Sequence, residues 1–303
     1  MTRRSVALVA ALVSILATAC GGGPGGGSGE IVVTTNILGD IVRNIVGDTA
    51  TVRVLMQPNA DPHSFGVSAQ DAAAMNGAGL IVYNGLGLEE NVTHNVESAA
   101  SHGVSTLAVG DRIDPIKYAE GDSAGMPDPH FWTDPERVIT AVDVIEEAIV
   151  RDVAGIDGDA IARNADNYRA RLRLLDGAMS HGFAALPPDR RKLVTNHHVL
   201  GYLAQRFDFE VIGAVVPSGT TLAAPSASDL QSLVGAIRSA RVPAIFVDSS
   251  QPEKLARVLA QDAGVQVQIV PLYSESLSPP GTPADTYLDM MRANTDAIVT
   301  GLQ

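Results

Sequence analysis

The feature that most constrains the fold is an alternation of short β-rich runs with amphipathic helical stretches, which stops at one long helix and then starts again. Candidate strands lie at 31–35, 52–56, 80–83 and 105–109, and then at 192–195, 210–215, 244–248 and 267–271. Candidate helices lie at 38–46, 68–76, 89–100 and 134–151, and then at 199–207, 227–240, 252–264 and 283–302. This alternation is typical of parallel α/β structure. We therefore predict two lobes, each a roughly four-stranded parallel sheet flanked by helices.

Residues 157–186 separate the two runs and predict a single long helix. Apolar side chains recur at helical spacing from Ile161 to Met179, and Leu186-Pro187-Pro188 ends the pattern. At about 1.5 Å per residue the helix would be about 40 Å long, more than one small domain needs. We therefore expect it to join an N-terminal lobe, 30–156, rigidly to a C-terminal lobe, 187–303. With 46% hydrophobic residues the chain can bury both cores.

The first 19 residues indicate an export signal. Two arginines precede an apolar run at 5–16, which is too short for a membrane-spanning helix. Cys20 follows and is the only cysteine, so it can form no internal disulfide. Its position resembles a bacterial lipoprotein processing site, although such sites usually have leucine where this chain has Ala17. We predict removal of residues 1–19 and lipidation of Cys20, with plain secretion or twin-arginine export as alternatives.

Residues 20–29 are glycine-rich after the cysteine. Such a segment has nothing to bury and predicts a flexible tether. A lipidated Cys20 would then hold a soluble body close to the bilayer, on the extracytoplasmic face of a bacterial cell membrane. The formal net charge of −13 becomes about −15 when Arg3 and Arg4 are removed with the signal. This charge disfavours nucleic acid as a partner and suits the gathering of cations.

The tripeptide Asp-Pro-His occurs twice, at 61–63 and 128–130, and an aromatic residue follows within two positions each time. Proline restricts its own φ and pushes the preceding residue out of the helical region, so each tripeptide predicts a stiff loop that presents an imidazole. Imidazole is the commonest protein ligand for transition metals. Two ordinary surface turns are the alternative, because Asp-Pro often starts a turn.

Four polar positions fall on the loop-bearing edges of the two predicted sheets. His63 follows the second strand of the first lobe and His130 follows the fourth. In the second lobe, residues 195–198 (Thr-Asn-His-His) follow the first strand and residues 273–276 (Tyr-Ser-Glu-Ser) follow the fourth. Open parallel sheets bind ligands beyond the carboxyl ends of their strands. Three imidazoles and one carboxylate, two groups from each lobe, would complete a four-coordinate site of the type that suits zinc.

Several ordered motifs carry a resemblance to a known family. They are the two Asp-Pro-His loops, Val194-Thr195-Asn196-His197 running into Gly201-Tyr202, Ala224-Pro225-Ser226-Ala227 before a helix, Ala244-Ile245-Phe246-Val247-Asp248, and Tyr287-Leu288-Asp289-Met290-Met291. Together they look like the zinc- and manganese-binding lipoproteins of bacterial ABC importers, the cluster A-I (cluster 9) solute-binding family. The resemblance covers nearly all of the mature chain.

The resemblance implies metal ligands at His63, His130, His197 and Glu275. The third position is more often glutamate in manganese members and histidine in zinc members. Glu275 stands where the family usually has aspartate, and because it is one methylene longer it must enter from a retracted backbone or bind with different denticity. His198 is the alternative third ligand, although it cannot point the same way as its neighbour.

Three further residues are candidates for supporting roles around the site. Asp61 and Asp128 could accept hydrogen bonds from the imidazoles of His63 and His130, unless the intervening prolines turn them away. Asn84 follows the third predicted strand and fits either a loop that closes over the site or a plain turn.

The resemblance further implies a monomeric capture protein and not an enzyme. It would bind Zn²⁺, or alternatively Mn²⁺, between two metal-binding lobes and pass the ion to an ABC permease and its ATPase. The long helix would limit closure to small shifts. Because histidine must be neutral to bind a metal, affinity should fall as the pH drops through the titration range of the ligands.

Two alternatives of other classes remain. A zinc hydrolase would use three histidines, an activated water and Glu275 as general base, but the sequence contains no His-Glu-x-x-His motif. A fourth bond to Glu275 would close the site, whereas a water would leave it catalytic. The other alternative is a surface adhesin or a metallochaperone that has no transporter of its own.

Overall fold

The computed structural model of the chain describes residues 29–264 and 267–303. The predicted signal peptide, Cys20 and all but the last residue of the predicted tether lie outside the described residues. Across these two ranges, no helix combines the length and the apolar character needed to cross a membrane.

The first sheet forms from four short strands: β1 (Glu30–Val33), β2 (Thr51–Val54), β3 (Leu80–Tyr83) and β4 (Ser105–Ala108). All neighbours are parallel, in the order β2-β1-β3-β4. Val33 of the central strand lies opposite Val54 on one side and Val82 on the other. The inner strands are covered on both faces, which is why they read as continuous apolar runs. The crossover helices are α1 (Asn36–Val46), α2 (Ala69–Gly77) and α3 (Thr93–Ser101).

Two helices connect this sheet to the next: α4 (Pro135–Asp152) and α5 (Gly158–Ala184). The carboxylate of Asp134 caps α4 by accepting from the backbone N–H of Glu136, and Pro135 occupies the first turn. Asp157 caps α5 in the same way through Ala160. With 27 residues, α5 is about 40 Å long.

The second sheet repeats the plan of the first. Its strands are β5 (Lys192–Thr195), β6 (Glu210–Ala214), β7 (Ala244–Asp248) and β8 (Gln268–Leu272), all parallel in the order β6-β5-β7-β8. Its helices are α6 (Gly201–Phe207), α7 (Ala227–Ala240), α8 (Lys254–Ala263) and α9 (Tyr287–Leu302). The prediction of two α/β lobes with four parallel strands each is confirmed.

One apolar core runs through both lobes. It contains Val33 of β1, Leu172 of α5, Phe246 of β7 and Met290 of α9, all of them buried. Helix α5 packs against α1 and α4 and also against α9, so it contacts both lobes. Each lobe has, in addition, a smaller core on its outer side. The lobes are therefore packed together along α5, and the loops at the carboxyl ends of the strands are left to build a site between them.

Candidate metal centre

Four side chains from four separate loops converge between the lobes. One ligand atom from each of His63, His130, His197 and Glu275 lies within 4.8 Å of the other three. The loops follow β2, β4, β5 and β8 respectively, so each lobe contributes two groups. All four residues are at most 1% exposed. The structure thus brings together the four residues that the sequence singled out.

The three imidazoles turn the same nitrogen towards one carboxylate. Nε2 of His130 lies 3.4 Å from Nε2 of His63. Oε1 of Glu275 is 3.1 Å from Nε2 of His197 and 3.5 Å from Nε2 of His130, and Oε2 is 3.8 Å from Nε2 of His63. This arrangement offers three nitrogens and one or two oxygens to a single point.

Several of these atoms are buried without a hydrogen-bond partner among the described residues. They include both carboxylate oxygens of Glu275, Nε2 of His197 and Nδ1 of His63. A buried carboxylate that no donor satisfies is destabilising by several kcal/mol, roughly. A cation at the common point would satisfy the carboxylate and the Nε2 atoms together, so the side chains present fit a metal ion.

Burial sets the protonation states of the site. It lowers the pKa of His63 to about 2 and that of His197 to about 4, and it lowers the pKa of His130 well below its usual value. Burial also raises the pKa of Glu275 well above its usual value, and the nearby carboxylates of Asp248, Asp61 and Asp128 add to this effect. The imidazoles are therefore neutral, the form that can bind a metal.

Asp128 orients His130. Its Oδ1 lies 2.7 Å from Nδ1 of the imidazole and also accepts the backbone N–H of His130 at 2.9 Å. The hydroxyl of Tyr118 lies 3.2 Å from the same Nδ1. With Nδ1–H donating to the carboxylate, the lone pair of Nε2 points to the common point. Burial raises the pKa of Asp128 to about 7.

Asp61 belongs to the same kind of tripeptide as Asp128, but it does not contact the ring of its own histidine. Its Oδ1 accepts the backbone N–H of His63 at 2.9 Å, but Nδ1 of His63 has no hydrogen-bond partner in the described part of the chain. Its Oδ2 accepts instead from Thr221 Oγ1 at 2.6 Å and from Gln251 Nε2 at 3.1 Å. Of the two alternatives left open for Asp61, the structure shows the second: the carboxylate is turned away from the imidazole and towards the other lobe.

The third histidine is held within its own loop. Asn196 Nδ2 lies 3.1 Å from Nδ1 of His197, and Thr195 Oγ1 donates to the backbone carbonyl of His197 at 2.5 Å. His198 is not part of the converging set. It lines a neighbouring cavity of about 620 Å³ together with Asp128 and Tyr118.

The loop that carries Glu275 is anchored from both lobes. Asp248, at the end of β7, accepts the backbone N–H groups of Ser274 and Glu275 through Oδ2, at 3.1 and 3.0 Å. From the N-terminal lobe, Trp132 Nε1 donates to the carbonyl of Ser274 at 2.8 Å, and Asn36 Nδ2 donates to Ser276 Oγ at 2.7 Å.

Asn84 supports the His130 loop and does not cover the site. It is fully buried, its Nδ2 donates to the carbonyl of Pro129 at 3.0 Å, and its backbone N–H donates to Glu89 Oε1 at 2.6 Å.

Glu89, Asp248 and Tyr118 were not predicted as parts of the site. Asp248 could have been found as a carboxylate that ends a buried strand, whereas the sequence carries no signal for the other two.

Comparisons with known proteins agree with this geometry. The family model described as "Zinc-uptake complex component A periplasmic" matches residues 31–301. The manganese-binding lipoprotein MntA of Halalkalibacterium halodurans is 28% identical over 308 residues, which cover 100% of this chain and 99% of that protein. The zinc-binding protein TroA of Treponema pallidum is 32% identical over 276 residues, 90% of this chain and 88% of that protein.

Solved structures show the same fold. The periplasmic zinc binding protein TroA from Treponema pallidum has a TM-score of 0.82 at 31% sequence identity, and the match covers 91% of this chain and 99% of that one. The Mn-bound periplasmic metal binding protein from Candidatus Liberibacter asiaticus has a TM-score of 0.79 at 28% identity, covering 90% and 99%. The chain therefore belongs to the zinc-uptake component A family, the cluster A-I solute-binding proteins of metal ABC importers, which bind substrate for a transporter and are not enzymes.

Proposed function

We propose that the protein captures one Zn²⁺ ion between its lobes, with His63, His130, His197 and Glu275 as the ligands, and delivers it to an ABC permease driven by an ATPase. The observation that carries the proposal is the convergence of three neutral Nε2 atoms and one carboxylate within 4.8 Å. Zinc prefers four ligands of this type in a tetrahedral arrangement. The ion is not changed chemically, and the protein only binds and releases it.

Manganese is the alternative ion. Several relatives, MntA among them, are named as manganese-binding. Mn²⁺ favours oxygen ligands more than Zn²⁺ does, and it binds more weakly to a given set of nitrogen and oxygen donors. A ligand set with three imidazoles and a single carboxylate therefore supports zinc over manganese.

The test measures the metal directly. Protein purified without added metal is analysed for its metal content, stripped, and titrated with Zn²⁺ and with Mn²⁺ in the presence of a competing chelator. We expect binding of one ion per chain, with Zn²⁺ bound more tightly. Absence of tight binding of either ion would overturn the proposal, and so would an unchanged affinity in a His63→Ala, His130→Ala double variant.

The proposal extends to where the protein works. We infer that Cys20 is lipidated, that residues 20–29 tether a monomer to the extracytoplasmic face of the cell membrane, and that no nucleic acid is bound. Several relatives are named as lipoproteins, which supports the anchor. In cell fractionation, a Cys20→Ser variant should leave the membrane fraction, and retention of the variant there would contradict the anchor.

A further inference from the structure

One loop of the C-terminal lobe carries no predicted metal ligand but makes hydrogen bonds to the N-terminal lobe beside the site. It consists of residues 217–221, which we call the latch loop, and it follows β6 in the C-terminal lobe. Its first contacts are with the segment of the N-terminal lobe that precedes His130. The N–H of Asp122 donates to the carbonyl of Pro217 at 3.1 Å, and the N–H of Gly219 donates to Ser123 Oγ at 3.0 Å.

The latch loop reaches His130 through Tyr118. The hydroxyl of Tyr118 lies 3.3 Å from the carbonyl oxygen of Gly219, to which it donates, and 3.2 Å from Nδ1 of His130. A methyl group at position 219 would lie 2.3 Å from the Tyr118 hydroxyl oxygen. Only glycine allows the ring to approach this closely, so the contact depends on the residue at 219.

The latch loop reaches His63 through Asp61. Thr221 Oγ1 donates to Oδ2 of Asp61 at 2.6 Å, while Oδ1 of the same carboxylate accepts the backbone N–H of His63. One carboxylate thus links the backbone of a predicted metal ligand to the opposite lobe. The neighbouring Thr220 Oγ1 donates to Glu90 Oε1 at 3.0 Å, a second bond between the lobes at the same place.

The latch loop also touches the third histidine loop, within its own lobe. The N–H of His198 donates to the carbonyl of Ser218 at 3.0 Å, and the N–H of Val216, just before the loop, donates to the carbonyl of Asn196 at 2.8 Å. These bonds flank His197 on both sides. The latch loop is therefore connected to the loops of all three histidines.

The fourth ligand lies on a side of the molecule that is built differently. The Glu275 loop is joined to the N-terminal lobe by buried hydrogen bonds from Asn36 and Trp132, next to the apolar core that both lobes share. The contacts of the latch loop are polar and part-buried or exposed. Separating polar, partly solvated contacts is less costly than exposing a shared apolar core. The lobes can thus part at the latch loop and stay joined at Glu275.

We propose that the latch loop fixes the positions of the three histidine loops relative to one another and thereby sets the rate at which the bound ion dissociates. Asp61 is then a positioning residue for His63. The inference rests on the proposed function, since it assigns a kinetic role beside the same site. Release requires the bonds from Thr221 and Gln251 to Asp61 and the Tyr118–Gly219 contact to open, because the four ligands are at most 1% exposed in the state in which these contacts are made.

The test uses Zn²⁺ alone as the probe and matched variants around one oxygen. Thr221→Val removes the shorter of the two bonds to Oδ2 of Asp61 from the opposite lobe and leaves the other, from Gln251 Nε2 at 3.1 Å. Ser64→Ala is the control, because Ser64 Oγ donates to the same oxygen at 3.1 Å from within the N-terminal lobe. Thr221→Ser restores the hydroxyl. Dissociation and association rates are measured by stopped-flow mixing with a chelator, together with the thermal unfolding of each metal-free variant.

We expect Thr221→Val to raise the dissociation rate roughly tenfold or more, because the bond it removes ends on a charged group. Its association rate and metal-free unfolding temperature should stay close to wild type. Ser64→Ala and Thr221→Ser should release zinc within about twofold of the wild-type rate. Gly219→Ala, which displaces Tyr118, should also accelerate release.

Two outcomes would overturn the latch. In the first, Thr221→Val and Gly219→Ala release zinc at the wild-type rate although the wild-type protein binds it tightly, a result that leaves the proposed function intact. In the second, Thr221→Ser releases zinc as fast as Thr221→Val, which would show that the hydroxyl is not responsible. Failure of the wild-type protein to bind Zn²⁺ or Mn²⁺ would remove the proposed function and the latch together.

Discussion

Glu275 is the one carboxylate among the four converging side chains, and both of its oxygens are without a hydrogen-bond partner in the described residues. Glu275→Gln keeps the shape of the side chain and removes the charge that faces the ion. Losing one partner of a buried charged pair costs about 3–5 kcal/mol, so we expect zinc affinity to fall roughly 100-fold or more. Competition titration measures this. The exposed Glu120→Gln is the control, and an affinity for Glu275→Gln close to that of the control would contradict a ligand role.

We expect Asp128 to act on a bound metal through His130, whose Nδ1 lies 2.7 Å from its Oδ1. Asp128→Asn weakens the acceptor that fixes the Nδ1–H tautomer, and changes of this kind typically lower metal affinity by about 10–100-fold. We expect a loss in that range in the same titration. Asp111→Asn, an exposed change after β4, should bind zinc as the wild type does. Wild-type affinity in Asp128→Asn would mean that packing alone orients the imidazole.

The two Asp-Pro-His tripeptides show the limit of sequence reasoning at this scale. The residue types and their places after strands indicated four loops at the carboxyl ends of the strands, and the family resemblance implied which side chain of each loop is a ligand. They were not sufficient to distinguish Asp61 from Asp128. That difference lies in Thr221 and Gln251, which are 160 and 190 positions away in the sequence and both donate to Asp61.

Helix α9 begins against helix α1 of the other lobe, and Asp40 lies at the junction. Its Oδ2 accepts the backbone N–H of Tyr287 at 3.0 Å, and burial raises the pKa of Asp40 above its usual value. The folded protein therefore holds this proton more tightly than the unfolded chain does. The protonated Asp40 carboxyl therefore contributes to the free energy of unfolding. This contribution is fully present below the pKa that Asp40 has in the unfolded chain and is lost as the pH rises through its pKa in the folded protein.

The prediction compares wild type with Asp40→Asn, which cannot titrate at this position. Denaturant unfolding between about pH 4 and pH 7 should show the wild-type free energy of unfolding decreasing relative to that of the variant as the pH rises. The exposed Asp159→Asn should follow the wild type throughout. A difference between wild type and Asp40→Asn that does not change with pH would mean that Asp40 has the same pKa in both states.

The elements were predicted closely from their patterns, and the exceptions have local causes. Helix α9 was expected from 283 but begins at Tyr287, because Thr286 accepts from the N–H of Asp289 as the cap. Helix α3 was expected from 89 but begins at Thr93, because the Glu89 carboxylate is turned back to the N–H groups of residues 84 and 85. Periodicity in the sequence shows where a helix lies, whereas its first residue depends on the hydrogen bonds that particular side chains make.

At the scale of the whole molecule, we expect the two lobes to unfold as one unit, because they share one apolar core. Leu172 is fully buried at the middle of α5, within the core that both lobes contribute to. Leu172→Ala should lower the free energy of unfolding by about 2–5 kcal/mol. Hydrogen exchange should then show β1 and β7 losing protection together. Loss of protection in one lobe only would mean that the lobes fold separately.

The chain has a single tryptophan, and it lies at the centre of this assembly. The indole ring of Trp132 is 5.3 Å from the His130 ring, and its N–H is bonded to the carbonyl just before Glu275. Any charge that arrives between those two side chains changes the electric field across the indole. We therefore expect the tryptophan fluorescence of the unlabelled protein to change when a metal ion binds.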